Sequence, residues 1–199
     1  LIVVADPLRA GHENTYWPGS LNIRQADVVV INKVDSASLA EIQRLRASVF
    51  ALNPTAQLIE AASPITVENP KLIAGKKVLV VEDGPTVTHG EMPFGAGAVA
   101  ARKLGAELVD PRPYAVGSIA KAFAHYPHLD TVLPAMGYGE KQIEDLAATI
   151  ARVPCEAIVI ATPIDLRRLL RLPHPATRVR YELQEIGRPT LKDALSPLL

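Results

Sequence analysis

The sequence lacks several features that would place it in a common functional class. It has one cysteine, Cys155, among 199 residues, which excludes an internal disulfide and a multi-cysteine zinc site. Its 21 basic and 21 acidic residues balance, so its net charge predicts neither nucleic acid nor a membrane surface as a partner. No apolar run reaches the roughly 20 residues of a membrane helix, and no basic segment precedes the opening apolar stretch, as a signal peptide requires. These absences favour a cytoplasmic globular protein.

A start methionine and a phosphate-binding loop are also missing. The two methionines are Met92 and Met136, and the first residues, Leu1 to Ala5, already have the composition of a buried strand. No segment matches G-x-x-x-x-G-K-[ST], whose backbone amides and lysine hold nucleotide phosphates. We therefore expect the chain to be part of a longer protein whose phosphate-binding loop comes before Leu1. We do not expect this part alone to hydrolyse nucleotides.

Short apolar runs alternate with helical patterns along the chain. The runs typical of buried parallel strands lie at residues 1–5, 27–31, 57–61, 77–81, 131–133 and 156–161. Residues 37–52 and 140–153 instead place their apolar side chains on one helical face. The alternation predicts an α/β fold with a mainly parallel sheet, helices on both faces, and ligands just after the strand ends. The tail predicts one more strand, residues 177–186, and a short helix from Thr190.

A joint is predicted between residues 63 and 76, where Pro64, Pro70 and Gly75 interrupt any regular period. We assign residues 1–75 to the rear part of a P-loop nucleotide-binding domain and residues 76–199 to a C-terminal α/β substrate region. The second region has two connections, 82–97 and 110–117, that exceed the usual length of about 4–6 residues. Connections of that length suggest function.

The strongest local signal is an N-K-x-D segment, Asn32 to Asp35, directly after a four-residue apolar strand. The carboxylate of Asp35 can accept two hydrogen bonds from the N1 and N2 edge of guanine. Asn32 and the stem of Lys33 can brace the loop and cover the base. The alternative is a simple turn in which Asp35 or Ser36 caps the next helix. The strand context favours a purine-binding loop.

Two neighbouring strand ends add to this prediction. Ala62 and Ser63 follow the next strand and form the small-residue loop with which P-loop GTPases approach the base, although such residues also simply end strands. Asp6 ends the first strand and is a candidate ligand of Mg²⁺, or else it caps the turn before Pro7.

Basic and glycine-rich loops supply candidates for a phosphorylated substrate. Arg9 and His12 follow Asp6, although solvation of a loop explains single residues of this kind. Gly95 and Gly97 open a small-residue helix whose amides can face an anion. They also fit G-x-G-x-x-A, which keeps a dinucleotide-binding dehydrogenase as a rival, although the preceding connection is too long for its tight turn.

Arg112 lies between two prolines in a stiff loop and is the preferred anion ligand, the alternative being a salt bridge with Asp110. His89 is a weaker candidate from the long loop after residue 81. Together with Arg9 and His12, these two residues form the predicted catalytic set.

Nearly the whole chain resembles the C-terminal part of cyclic 2,3-diphosphoglycerate synthetase, a P-loop GTPase-like family. The segments that carry the resemblance are Ala5 to Glu13, Val30 to Asp35, Val80 to Thr86, His89 to Met92, Val109 to Tyr114 and Thr162 to Leu166. The resemblance implies a ligase that uses ATP and Mg²⁺ to close 2,3-diphosphoglycerate into an intramolecular phosphoanhydride. It also implies a front part with the P-loop, and a homodimer is possible.

The resemblance and the base-reading loop differ on the nucleotide, since the family uses ATP whereas Asp35 favours guanine, so ATP and GTP both stay open. The alternative function is that of a P-loop GTPase, or another GTP- or ATP-dependent enzyme with a different substrate.

Overall fold

Two sheets organise the chain. The structure is a computed structural model that describes residues 1–90 and 92–196, so Glu91 lies outside the described residues. Contacts between Cα atoms divide it into unit 1, residues 1–64 with the described residues from Tyr181 onward, and unit 2, Ile65–Arg180. Each unit is a mostly parallel sheet flanked by helices, which confirms the predicted α/β class. None of the helices in the described part of the chain is both long and apolar enough to span a membrane.

Unit 1 contains a four-stranded sheet in the order β1-β2-β3-β10, of which only β10 is antiparallel. Its elements are β1 (Ile2–Ala5), α1 (His12–Thr15), α2 (Trp17–Gln25), β2 (Val28–Ile31), α3 (Leu39–Leu52), β3 (Gln57–Ala62), β10 (Gln184–Ile186) and α8 (Leu191–Leu195). All four residues of β2 are buried, because alternate side chains pack on α2 and α3 on one face and on α8 on the other. The parallel register brings the carboxyl ends of β1, β2 and β3 to one edge.

Helix α3 begins with a capping box that fixes the exit from β2. The Ser38 hydroxyl accepts from the Glu41 amide at 3.3 Å, and the Glu41 carboxylate accepts from the Ser38 amide at 2.8 Å. Ser38 is therefore the cap, rather than Asp35 or Ser36, which leaves the Asp35 carboxylate for another role.

Replacing Ser38 by alanine is expected to lower the free energy of unfolding of unit 1 by about 1 kcal/mol, because the Glu41 amide loses the hydroxyl that accepts its hydrogen bond. Urea unfolding of the wild type and the variant measures the difference. Ser36→Ala is the matched control, since Ser36 is exposed and caps nothing. Equal losses in both variants would contradict the capping role.

Unit 2 contains a larger sheet in the order β4-β9-β8-β5-β6, with β7 also paired to β5. Its elements are β4 (Ile65–Val67), β5 (Lys77–Asp83), α4 (Gly84–Val87), α5 (Ala96–Lys103), β6 (Glu107–Leu108), α6 (Gly117–His125), β7 (Leu133–Ala135), α7 (Glu140–Arg152), β8 (Ala157–Ala161) and β9 (Ala176–Tyr181). Successive side chains of β5 point to opposite faces of the sheet. Val78 and Val80 pack on α5, whereas Leu79 and Val81 pack on α6 and α7.

Four details of the predicted organisation differ from the structure. The single strand predicted at residues 177–186 is wrong, because it breaks into β9 and β10, which join different sheets. The connection after Asp6 is helical rather than a long loop, and the predicted joint contains β4. The break between units falls at residues 64 and 65, whereas the sequence suggested 75 and 76, and β10 returns to pair with β3.

Candidate functional site

The N-K-x-D segment forms a constrained loop at the carboxyl end of β2. Lys33 has a φ of 59°, and no other non-glycine residue in the described part of the chain has a positive φ. Such backbone costs roughly 1–3 kcal/mol and persists only where surrounding contacts impose it. Those contacts include hydrogen bonds from the Asn32 amide to Ala5 and from the Val34 amide to Ala61. These hydrogen bonds to β1 and β3 thus hold the loop in its strained shape.

Ser63 joins this loop to the end of β3. Its amide donates to Oδ1 of Asp35 at 2.9 Å, and its hydroxyl donates to Oδ1 of Asn32 at 3.3 Å. Asp35 is exposed, so its second carboxylate oxygen remains available to a ligand. The structure therefore brings together Asn32, Asp35 and Ser63, and the neighbouring Ala62 is buried. This arrangement fits a planar base bound against the carboxylate.

Lys33 connects the loop to Asp6 at the end of β1. Its ammonium lies 2.6 Å from Oδ2 of Asp6, and Oδ1 of Asp6 accepts from the Leu8 amide at 3.0 Å. One carboxylate is enough for Mg²⁺ when nucleotide phosphates and water complete the shell. The described residues contain no group of three His, Cys, Asp or Glu side chains that could hold a metal. Asp6 therefore fits as a single Mg²⁺ ligand only if the ion replaces the Lys33 ammonium at its carboxylate.

A cavity of about 320 Å³ opens beside Asp6 in unit 1. Arg9, His12 and Tyr16 line it together with Asp6, so the structure unites two of the four predicted catalytic residues. Glu13 also lines it, but its buried carboxylate accepts from the Gly11 amide at 2.7 Å and thereby fixes the start of α1. The cavity combines cationic, titratable and aromatic groups of the kind that bind phosphates or a small polar substrate.

In unit 2, a buried carboxyl group occupies the start of α5. Glu82 is 2% exposed and accepts from the amides of Gly95 at 3.1 Å and Ala98 at 2.9 Å. Burial raises the pKa of Glu82 to about 7, despite the opposing effect of these amides. A Cβ on Gly97 would lie 2.8 Å from the Cβ of Ala161, so close packing alone requires this glycine. The amides predicted to bind an external anion thus already hold an internal carboxylate.

The two arginines at the same edge of this sheet are also paired. Arg112 forms a two-pronged ion pair with Asp110, with N–O distances of 2.8–3.0 Å, as the alternative interpretation predicted. The hydrogen bond from Arg112 holds the pKa of Asp110 below its usual range. Arg167 is bound by Asp165 and by Glu68, each at 2.8 Å. Both guanidinium groups are therefore already paired with carboxylates of this chain.

His89 lies in a different environment, edge-on to the ring of Tyr126 with 5.9 Å between ring centroids. His125 and His128 contact the same ring, and Nε2 of His128 lies 2.8 Å from the Val87 carbonyl oxygen. The four predicted catalytic residues are therefore divided, with Arg9 and His12 in unit 1 and Arg112 and His89 in unit 2.

Comparison with known proteins identifies a relative with a similar amino-acid sequence. Over 195 residues, the chain is 59% identical to the arginine synthetase ArcE of Thermococcus kodakarensis. The match covers 98% of this chain and 44% of that relative, so the chain spans less than half of the relative's length. No family profile matches the chain. The chain is thus similar to a synthetase from a related family whose name refers to arginine and not to 2,3-diphosphoglycerate.

The sequence places Asp83 at the end of β5 and Tyr138 in the polar loop after β7, but neither was among the predicted site residues. Asp83 accepts a hydrogen bond from the Thr86 hydroxyl at 2.8 Å, and the hydroxyl oxygen of Tyr138 is buried. Burial raises the pKa of Tyr138, and the charge of Asp83 raises it further, while Thr162 partly opposes the shift. Consecutive acids after a buried strand, Glu82 and Asp83, were the available signal.

Proposed function

We propose that the chain is the rear part of a nucleotide-dependent ligase in which unit 1 binds the purine nucleotide. The observation that carries this proposal is the loop of Asn32, Lys33 and Asp35, strained at Lys33 and joined to Ser63. Strained non-glycine backbone is concentrated at ligand-binding and catalytic sites. The second carboxylate oxygen of Asp35 accepts hydrogen bonds from the base, while Asn32 and Ser63 hold the Asp35 side chain in place. The relative's name, a synthetase, agrees with the coupling of a nucleotide to bond formation.

We propose arginine, which the relative's name contains, as the product. The charges of unit 2 favour this cation over a substrate with two phosphates. Arg112 and Arg167 are neutralised by Asp110 and Asp165, and the start of α5 holds Glu82 instead of an external anion. A diphosphate would have to break these pairs, whereas a guanidinium would not.

The chemistry expected of such a synthetase is transfer of a phosphoryl group and its displacement. The terminal phosphoryl group leaves the nucleotide for an oxygen of the acceptor. A nitrogen nucleophile then forms the new C–N bond, loses a proton and displaces phosphate with that oxygen. Arg9 neutralises phosphate charge in the cavity of unit 1, and His12 lies in the same cavity as a proton carrier. Mg²⁺, held by Asp6, would neutralise further phosphate charge. Positioning and charge neutralisation are the main contributions of this edge.

Cyclisation of 2,3-diphosphoglycerate, with ATP or GTP and Mg²⁺, is the second candidate. The segments Ala5 to Glu13 and Val109 to Tyr114 favour it, because they carry the resemblance to that family. In this case Arg9 and His12 would bind the substrate phosphates in the cavity of unit 1.

Phosphorus NMR of the complete protein separates the two candidates. We expect ATP or GTP with Mg²⁺ and 2,3-diphosphoglycerate to yield no cyclic phosphoanhydride. A cyclic product from either nucleotide would overturn the arginine proposal in favour of the second candidate. Failure of the protein to bind any purine nucleotide would overturn both.

A further inference from the structure

Strand β1 lies at the outer edge of the sheet of unit 1. Among the described residues it pairs with β2 alone, and no strand lies on its other side. The carbonyl oxygens of Leu1 and Ala5 accept hydrogen bonds from amides in and beside β2. Because backbone groups alternate in direction along a strand, those of Ile2 and Val4 point to the open edge. This edge therefore presents amides and carbonyl groups that are able to pair with a further strand.

Apolar side chains of β1 are exposed on one face of the sheet. Ile2 and Val4 are in register with Val28 and Val30 of β2, so all four lie on the same face. Helix α8 covers Val28 and Val30, which are buried, whereas Ile2 is 42% and Val4 is 63% exposed. Parallel strands normally have both faces covered. This face of β1 thus lacks the cover that apolar residues of a parallel strand usually have.

The cavity beside Asp6 reaches the same open edge. Residues 3–5 of β1 line it, together with the apolar side chains of Ile23 and Leu45. An apolar side chain from a neighbouring strand would fill this part of the cavity. Unpaired backbone groups, exposed apolar side chains and an apolar cavity wall therefore coincide at β1.

An occupant that pairs with these backbone groups and covers these apolar side chains is a β-strand. The synthetase relative is more than twice as long as the matched segment, since the match covers 44% of it. We propose that a strand from a part of the complete protein outside residues 1–199 pairs with the open edge of β1. The segment that adjoins this strand covers Ile2 and Val4.

Thiol labelling of the complete protein tests whether this face is covered. Val4→Cys should react with a maleimide at least about tenfold more slowly than Phe50→Cys, because a covered thiol reacts only when the structure opens locally. Phe50 is the matched control, since it lies on α3 and is 64% exposed. Peptide mass spectrometry identifies the labelled site, and the buried Cys155 should stay unlabelled in each folded variant. Ile2→Cys probes the same face if Val4→Cys does not fold.

Hydrogen exchange of the wild-type complete protein tests whether the cover includes a strand. The amides of Ile2 and Val4, which point to the open edge, should be protected to a similar extent as those of Val3 and Ala5, which face β2. This measurement needs no variant, so it does not depend on how a substitution affects folding.

Three results would overturn the proposal. The first is equal labelling of Val4→Cys and Phe50→Cys while Cys155 stays unlabelled. The second is rapid exchange at Ile2 and Val4 alone, which would leave the edge of β1 open. The third is protection that disappears when the protein is diluted, which would assign the edge to a second copy of the chain. Neither readout involves a nucleotide or arginine, so failure here leaves the proposed function standing.

Discussion

Asp35→Asn is expected to weaken the binding of guanine nucleotides by about tenfold to hundredfold. The asparagine amide places a donor where the carboxylate accepts from the N1 and N2 hydrogens of guanine. Its remaining oxygen can still accept from the Ser63 amide, so the loop keeps its shape while base recognition is lost. Adenine has neither of those two donors, and ATP affinity should therefore change little.

Titration of the complete protein with GTP and ATP measures this effect and identifies the base. Asp27→Asn is a suitable control, because this acid lies at the opposite end of β2 with 80% of its side chain exposed. Loss of GTP affinity in Asp35→Asn alone supports the assignment. Unchanged affinity for both nucleotides would remove Asp35 from base recognition.

Glu82→Gln is expected to abolish a pH dependence of stability worth about 3 kcal/mol. The pKa of Glu82 rises from 4.5 to about 7 on folding, mainly because the carboxyl group is buried. Between these pH values the folded state keeps a proton that the unfolded state has lost. The free energy of unfolding therefore falls as pH rises through this window and levels off above it, by 1.36 kcal/mol for each pKa unit. Glutamine does not titrate, so the free energy of unfolding of the variant does not show this fall with pH.

Hydrogen exchange of the buried β5 amides in increasing urea, between pH 4 and pH 8, reports on unit 2. The stability of Glu82→Gln relative to the wild type should increase by about 3 kcal/mol across this range. Glu107→Gln serves as the control, because Glu107 lies in the same sheet with 68% of its side chain exposed. A parallel pH dependence in the wild type and Glu82→Gln would contradict the raised pKa.

The parallel strands and long helices were predictable because their patterns are local. Val28 to Ile31 is apolar at every position, as a strand covered on both faces must be, and the structure buries all four residues. The period of residues 39–52 likewise requires a helix with one apolar face. The loop from Asn32 to Asp35 was predictable as a site because it follows such a strand.

The remaining features depend on contacts between residues distant in the sequence. The alternation of apolar and polar side chains continues from β9 into β10 and so predicts one strand. The break arises because the two strands pair in different sheets. Pairing of Arg112 with Asp110 was one of two open alternatives, since the sequence does not reveal side-chain geometry. The burial of Glu82 depends on α5, whose small residues allow its amides to approach β5.

The reverse reaction of the complete protein tests the central claim most directly, since a ligase that forms arginine must also consume it. Arginine, Mg²⁺, ADP or GDP, and phosphate are incubated with the enzyme, and phosphorus NMR follows the nucleotide while a trap removes any triphosphate formed. We expect arginine-dependent formation of ATP or GTP, with loss of this activity in Asp35→Asn if the guanine nucleotide is used. Absence of triphosphate formation with either nucleotide, by a protein that binds both arginine and nucleotide, would contradict the account.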